Sequence, residues 1–185
     1  LEFLDYILIV IDTIEQFNYY TLSMKKSASF FLILMVTKFA VAQPEKESIL
    51  NPINQLFTGM KAGDSALVRS VFSTNAILNG IDKDEKGNAS VRKASLKTFL
   101  TAIGTPHKEV WNELVWDVTV QQDGELAQVW ASYAFYRGTT FSHCGVDAFQ
   151  LLKQGDGWKI IALIDTRRKE NCNIPKQIAD KFKER

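Results

Sequence analysis

The sequence predicts an α+β domain in which a curved antiparallel sheet packs on three N-terminal helices. Three observations lead there. Apolar residues recur at three- and four-residue spacings as far as Ile103. After Lys108 the period changes to two. Asp123-Gly124, Gly138-Thr139-Thr140 and Gly155-Asp156-Gly157 then divide the second half into four long strands.

The chain of 185 residues first has to be trimmed. Met24-Lys25-Lys26, the apolar run Phe30 to Val36, and Ala40-Val41-Ala42 follow the order of a secretory signal, with cleavage expected after Ala42. The rival reading is an amphipathic core helix; the run is too short to span a bilayer. Residues 1–23 contain no Met and precede a start-like Met24, so they read as an upstream leader outside the fold. Their alternative is a membrane-associated helix interrupted by Asp5, Asp12 and Glu15. Residues 43–185 are then a single domain, large enough to bury its own core, in a periplasmic or secreted protein with no membrane span once the signal is removed. With 22 basic against 21 acidic side chains in the whole chain, the balance argues against nucleic acid as a partner.

Within that domain Glu45 to Lys61 sets Ile49, Ile53, Leu56, Phe57 and Met60 on one stripe, with Gly63 as the stop. Asp64 caps a short second helix through Phe72. Ala76 to Ile81 is a first strand, and Asp82 to Asn88 a loop or hairpin turn. Ala94 to Ile103 is the third helix, closed by Gly104 and Pro106. The four long strands are Glu109 to Gln121, Glu125 to Arg137, Phe141 to Lys153 and Trp158 to Arg167.

Pairing arithmetic without irregularities places Leu114 against Tyr133, Trp116 against Ala131 and Val118 against Val129. It sets Phe135 beside His143, Tyr133 beside Gly145 and Ala131 beside Asp147, then Asp147 against Ile164 and Phe149 against Ala162. Trp116, Tyr133, His143, Asp147, Phe149 and Leu151 thus share the helix-facing side, while Trp111, Glu113, Asp117 and Trp130 fall on the other. A one-residue slip would reverse these faces.

Several stretches carry a resemblance: Lys61-Ala62-Gly63-Asp64, Phe72-Ser73-Thr74-Asn75-Ala76, Phe149-Gln150-Leu151 and Gly157-Trp158-Lys159-Ile160. With them the domain resembles the nuclear transport factor 2-like superfamily, the cone fold that also includes SnoaL-like cyclases and ketosteroid isomerase. His143-Cys144-Gly145-Val146-Asp147, Asp165-Thr166-Arg167-Arg168 and Cys172 look more closely like an uncharacterised exported bacterial branch. The resemblance implies a conical pocket for a small, partly apolar molecule, often in a homodimer formed by the sheets. It does not settle function, because the superfamily holds isomerases, cyclases, dehydratases and binding modules. The ketosteroid isomerase constellation has no residue-by-residue match here.

His143 and Asp147 lie roughly 13 Å apart along one strand face, too far for a direct dyad. Each is a candidate catalytic group at opposite ends of a pocket ligand, His143 exchanging a proton and Asp147 acting as base. The structural alternative is that His143 pins the loop and Asp147 holds a buried polar partner. Trp116, Tyr133 and Phe149 are either core or pocket wall. Thr166 and Arg168, beside His143 if the last strand continues, either address an anionic ligand group or form a solvated strand end. Trp111 and Trp130 on the outer face fit a homodimer surface. Cys144 and Cys172, an even pair in an exported chain, suggest one disulfide closing about 27 residues. A metal site is the rival, but with only His107 and His143 a zinc set is thin, and neither a metal nor a cofactor is expected. There is no phosphate loop, nucleophile elbow or His-Glu-x-x-His. Three functions remain: an exported small-molecule-binding domain, a cofactor-free isomerase or dehydratase using Asp147 or His143, and a structural domain with a filled cone. An open pocket separates the first two from the third.

Overall fold

The computed structural model describes residues 45–182; the expected leader and signal segment lie outside the described residues. Helix α1 covers residues 45–62 and buries Ile49, Ile53, Leu56 and Met60. Gly63 ends it at φ 71°, in the left-handed region open to glycine, and the Asp64 N–H donates back to the Gly59 carbonyl at 2.9 Å. Helix α2 (Ser65–Val71) is capped by the Asp64 carboxylate, which accepts from the Leu67 N–H at 2.9 Å.

Strand β1 (Phe72–Lys83) starts four residues before its expected position, because Phe72 already pairs with Ile160. The hairpin at Asp84 to Asn88 returns in β2 (Ala89–Ala94), an edge strand whose polar, largely exposed sequence gave no strand signal. Ser95 caps α3 (Leu96–Gly104). The four long strands follow as β3 (Trp111–Asp123), β4 (Leu126–Arg137), β5 (Thr140–Gln154) and β6 (Gly157–Thr166). A short helix α4 (Lys176–Ala179) and a 3-10 turn (Asp180–Phe182) complete the described chain.

The strands form one curved, unclosed sheet in the order β2-β1-β6-β5-β4-β3. It is mixed, since β1 runs parallel to β6 while the other neighbours are antiparallel. Helices α1 and α3 pack on its concave face: Phe57 of α1 meets Phe149 edge-on with ring centroids 6.4 Å apart, and Phe99 of α3 meets Phe72 at 6.5 Å. On the convex face a second cluster joins Ala134, Tyr136 and Cys144 to Trp116, Phe141, Cys172, Ile174 and Phe182. Tyr136 and Phe182 stack at 4.0 Å, and a Cys144–Cys172 disulfide anchors the C-terminal segment there.

Register shifts occur in four of the five strand pairs; in β1 three extra residues lie between Phe72, opposite Ile160, and Ile77, opposite Ala162. In β3 an extra step lies between Trp116 and Thr119, where Asp117 takes φ 51°. In β5 Ser142 is extra opposite Phe135 and Tyr136, and in β6 Ile161 is extra opposite Gln150 and Leu151. Each such bulge exchanges the faces of the residues beyond it.

Candidate functional site

A cavity of about 590 Å³ opens between the concave sheet and helices α1 and α3. Leu56, Phe57 and Met60 of α1, Phe99 of α3 and Leu163 of β6 give it apolar walls. Trp111 forms another wall, held by stacking on His107 at 4.4 Å and by an edge contact to Phe135 at 5.9 Å.

Among these walls stand two carboxyl groups, Glu113 from β3 and Asp147 from β5, joined by a side-chain hydrogen bond. Asp147 is 3% exposed, the one buried charged residue among the described residues. Two carboxylates cannot hydrogen-bond each other, because each only accepts; the bond requires a proton on one of them. Desolvation, followed by the charge of its neighbour Glu113, raises the Asp147 carboxyl well above the usual carboxylate range. Desolvation also brings Glu113 up to about 7. Asp147 therefore keeps its proton at neutral pH while Glu113 loses its own as pH rises through about 7, leaving one proton in the pair above that range. Asp147 Oδ2 has no partner within the described residues, so that polar edge is unspent.

Tyr133 of β4 crosses over β5 to donate its hydroxyl to the Thr166 carbonyl at 2.9 Å. It can do so because Gly145 lies beneath it: a Cβ there would stand 1.8 Å from the Thr166 oxygen and 2.7 Å from the Tyr133 ring. The same hydroxyl lies 3.4 Å from Asp165 Oδ2, which accepts from Arg167 Nε at 2.6 Å. Arg92, bonded to Asp82 at 2.8 Å, reaches within 3.8 Å of the other Asp165 oxygen across Gly80.

His143 sits between the Tyr133 and Phe135 rings at 5.7 and 5.2 Å, with its Nδ1 3.0 Å from Ser142 Oγ. Burial and then the Arg167 charge lower its pKa to about 4, so the imidazole is neutral at physiological pH.

Of the residues expected in the pocket, His143, Asp147 and Tyr133 line this cavity. The others require correction. Trp116 lies on the convex face opposite Ser132, and Trp111 and Glu113 take the concave face instead, because the Asp117 bulge puts the two halves of β3 out of phase. The Ile161 bulge likewise turns Leu163, Asp165 and Arg167 inward in place of Ile164, Thr166 and Arg168. Thr166 contributes its carbonyl to Tyr133 and its Oγ1 to the Val146 N–H at 3.1 Å. Arg168 pairs through its backbone with Cys144. Phe149 is 1% exposed and belongs to the packed core beneath the cavity. Glu113 is legible as a carboxyl on an apolar strand, and the Asp117 bulge moves it from the expected outer face into the cavity. Among the described residues no group of three or more His, Cys, Asp or Glu could hold a metal ion, and no helix is long and apolar enough to cross a membrane.

The fold has clear counterparts among solved structures. A nuclear transport factor 2-like protein from Shewanella baltica is 18% identical with a TM-score of 0.52, covering 70% of this chain and 98% of that one. A nuclear transport factor 2-like protein with a cystatin-like fold from Novosphingobium aromaticivorans is 10% identical with a TM-score of 0.56, covering 81% and 96%. A protein with a cystatin-like fold from Nostoc punctiforme is 11% identical with a TM-score of 0.53, covering 68% and 92%. No curated protein matches the chain. The family model described as "Putative lumazine-binding" matches residues 44–164, which contain every cavity-lining residue except Asp165 and Arg167. The chain belongs to that family, and its domain has the nuclear transport factor 2-like cone fold.

Proposed function

We propose that the domain binds a small, partly apolar molecule in the cone and reads its polar edge with the Glu113–Asp147 pair. The observation that carries this reading is the pair itself: a buried carboxyl group with an unpartnered oxygen, held beside open space of about 590 Å³. That volume suits a compact organic molecule. With its proton engaged by Glu113, Asp147 offers the free Oδ2 as an acceptor for a ligand N–H or O–H, such as the N–H of an amide or imide edge. The family description points the same way, since lumazine is a flat heterocycle with such edges. Phe57, Phe99 and Trp111 supply apolar contact for its faces.

Lumazine itself is the first probe, followed through its own fluorescence. Saturable binding is expected. Asp147→Leu, which keeps the branched shape and removes both polar atoms, should weaken it at least about tenfold, while Asp147→Asn should retain most of it. Absence of saturable binding, or equal affinity in Asp147→Leu, would refute the reading for this heterocycle class.

A second reading is favoured by one observation. Glu113 at about 7, next to a neutral acid in an apolar cone, is poised to move a proton at neutral pH, as a cofactor-free isomerase or dehydratase requires. This shifts the base from Asp147 or His143 to Glu113, with Asp147 as the acid. Turnover lost in Glu113→Gln with affinity retained would select the enzyme; binding without turnover of any ligand that fits would select the binding module.

We further infer export. The Cys144–Cys172 disulfide fits an oxidising compartment, periplasmic or extracellular, and supports a signal at residues 24–42 preceding a domain of residues 43–185. Mass spectrometry of exported protein beginning at Gln43 would support it, and full-length cytoplasmic protein would refute it. A homodimer through the convex face is restricted to the part that the C-terminal segment leaves free, around Trp130, Ile164 and Ile77, which are 56%, 38% and 55% exposed. Trp130→Glu should dissociate it in sedimentation equilibrium.

A further inference from the structure

The cavity is not electrically uniform along its length. Toward Phe57, Met60 and Leu163 its walls are apolar, whereas four cationic side chains, Arg92, Lys93, Arg137 and Arg167, also line it. Asp82 and Asp165 pair with Arg92 and Arg167, which leaves Lys93 and Arg137 without an ion-pair partner among the described residues. Their position is set by topology. Arg137 is the last residue of β4 and Arg167 directly follows the last residue of β6, and antiparallel pairing through β5 brings both strand ends to the same end of the sheet. Both lie close enough to His143 for their charges to lower its pKa.

These cations are incompletely used by the protein. Arg167 commits its Nε to Asp165, and its terminal nitrogens make no hydrogen bond among the described residues. The Arg137 guanidinium has no hydrogen-bond or ion-pair partner among them. Arg92 Nη2 is buried without a hydrogen bond, wedged over Gly80 beside Asp165. Asp165, bracketed by Arg92 and Arg167, fixes the direction of the second guanidinium without neutralising the group.

Taking the cone as the ligand site, we propose that its ligand carries an anionic group, a carboxylate or a phosphate ester, that docks on Arg137 and Arg167 at the strand-end rim. Its apolar body then enters toward Glu113 and Asp147. Guanidinium groups suit such planar or tetrahedral oxyanions because their N–H donors form charge-assisted, paired bonds. The ligand class is thus an amphiphilic acid with a compact ring system and one terminal anion.

The test compares two probes of the same shape, 2-naphthoate and 2-naphthamide, by calorimetry on the full chain at low and high salt. The acid should bind at least about tenfold more tightly than the amide, with the advantage shrinking at high salt. Arg137→Gln, which leaves the Asp165 network intact, should remove much of that advantage, and Arg167→Gln likewise, with unchanged melting temperature confirming the fold in the first. Naphthyl phosphate against naphthoate distinguishes the two anion types. Equal affinity of acid and amide, or an unaltered ratio in both arginine variants, overturns the anionic rim and leaves the cone as a binding site. A folded protein that binds neither naphthyl probe overturns the anionic rim, and the cone reading falls with it where lumazine also fails to bind.

Discussion

The two faces of the same sheet end solve the same problem in opposite ways. On the convex face the alternate residues Ala134, Tyr136 and Cys144 are covered by the chain's own C-terminal segment, packed through Ile174 and Phe182 and fastened by the disulfide. On the concave face the intervening residues Tyr133, Phe135 and His143 surround open space. Both sets come from strands β4 and β5, so the difference is not one of local sequence hydrophobicity. The protein closes one face with its own atoms and leaves the other open while placing ionisable groups there. Burying a carboxyl pair costs stability, less so when the pair retains a proton, and its position beside a cavity is what the proposed binding site rests on.

The sharpest way to break this comparison acts on the strand that separates the faces. Gly145→Ala puts a methyl group against the Thr166 carbonyl and under the Tyr133 ring. Overpacking together with loss of the Tyr133 hydrogen bond should cost roughly 4 kcal/mol, read as a large fall in melting temperature. Next in size is the convex face alone. Cys144→Ser with Cys172→Ser should cost about 3 kcal/mol, a fall of roughly 10 °C, while the purified protein still binds its cone ligand. Loss of binding in folded double variant would show that the faces are coupled.

The concave face has its own signature in pH. Carboxyl groups raised on folding keep protons that the unfolded chain has released, so their contribution to stability falls as pH rises from the ordinary carboxylate range through 7 and beyond. His143, lowered to about 4, acts in the opposite sense: the unfolded chain takes up a proton that the folded one refuses, so stability falls as pH drops below 6.5 toward 4. Asp147→Asn removes the first effect and should gain melting temperature relative to wild type progressively from pH 5 to pH 8. His143→Phe should gain relative to wild type as pH falls from 6.5 to 4. The smallest effect is Tyr133→Phe, which loses the hydroxyl bond to Thr166 at about 1 kcal/mol and sharpens how firmly Gly145 and Tyr133 tie β4 to β6.

How much of this was legible follows the regularity of the strands. Strand β4 is unbroken, and Phe135 with His143, Tyr133 with Gly145 and Ala131 with Asp147 pair as expected, although the loop is one residue shorter than Gly138 to Thr140 and the extra Ser142 in β5 restores the register. In β3 and β6 the alternation changes phase within the strand. Val115 and then Val118 and Val120 pack on the core, a spacing of three between the first two, but Trp116 is apolar as well, so no polar residue betrays the shift. The only local hint was Asp117, a residue tolerant of the left-handed region. In β6 the run Ile160-Ile161-Ala162-Leu163-Ile164 is apolar throughout, and nothing in it fixes which residues face inward. The pair Glu113–Asp147 was lost to the first of these shifts, and Asp165 with Arg167 to the second. Strand β2 was missed for a different reason: at a sheet edge, Ala89 to Ala94 has only Val91 as a β-branched apolar residue, and that side chain is itself exposed.

The proton shared by Glu113 and Asp147 is what distinguishes an equipped cone from an unfilled gap. Side-chain carboxyl carbons can be followed directly by carbon-13 NMR across pH 4 to 9, with the two signals assigned through Asp147→Asn and Glu113→Gln. The account predicts that the Asp147 carboxyl keeps the chemical shift of the protonated acid at pH 7 and that Glu113 titrates near that pH. Both carboxyls ionising in the ordinary carboxylate range would contradict it.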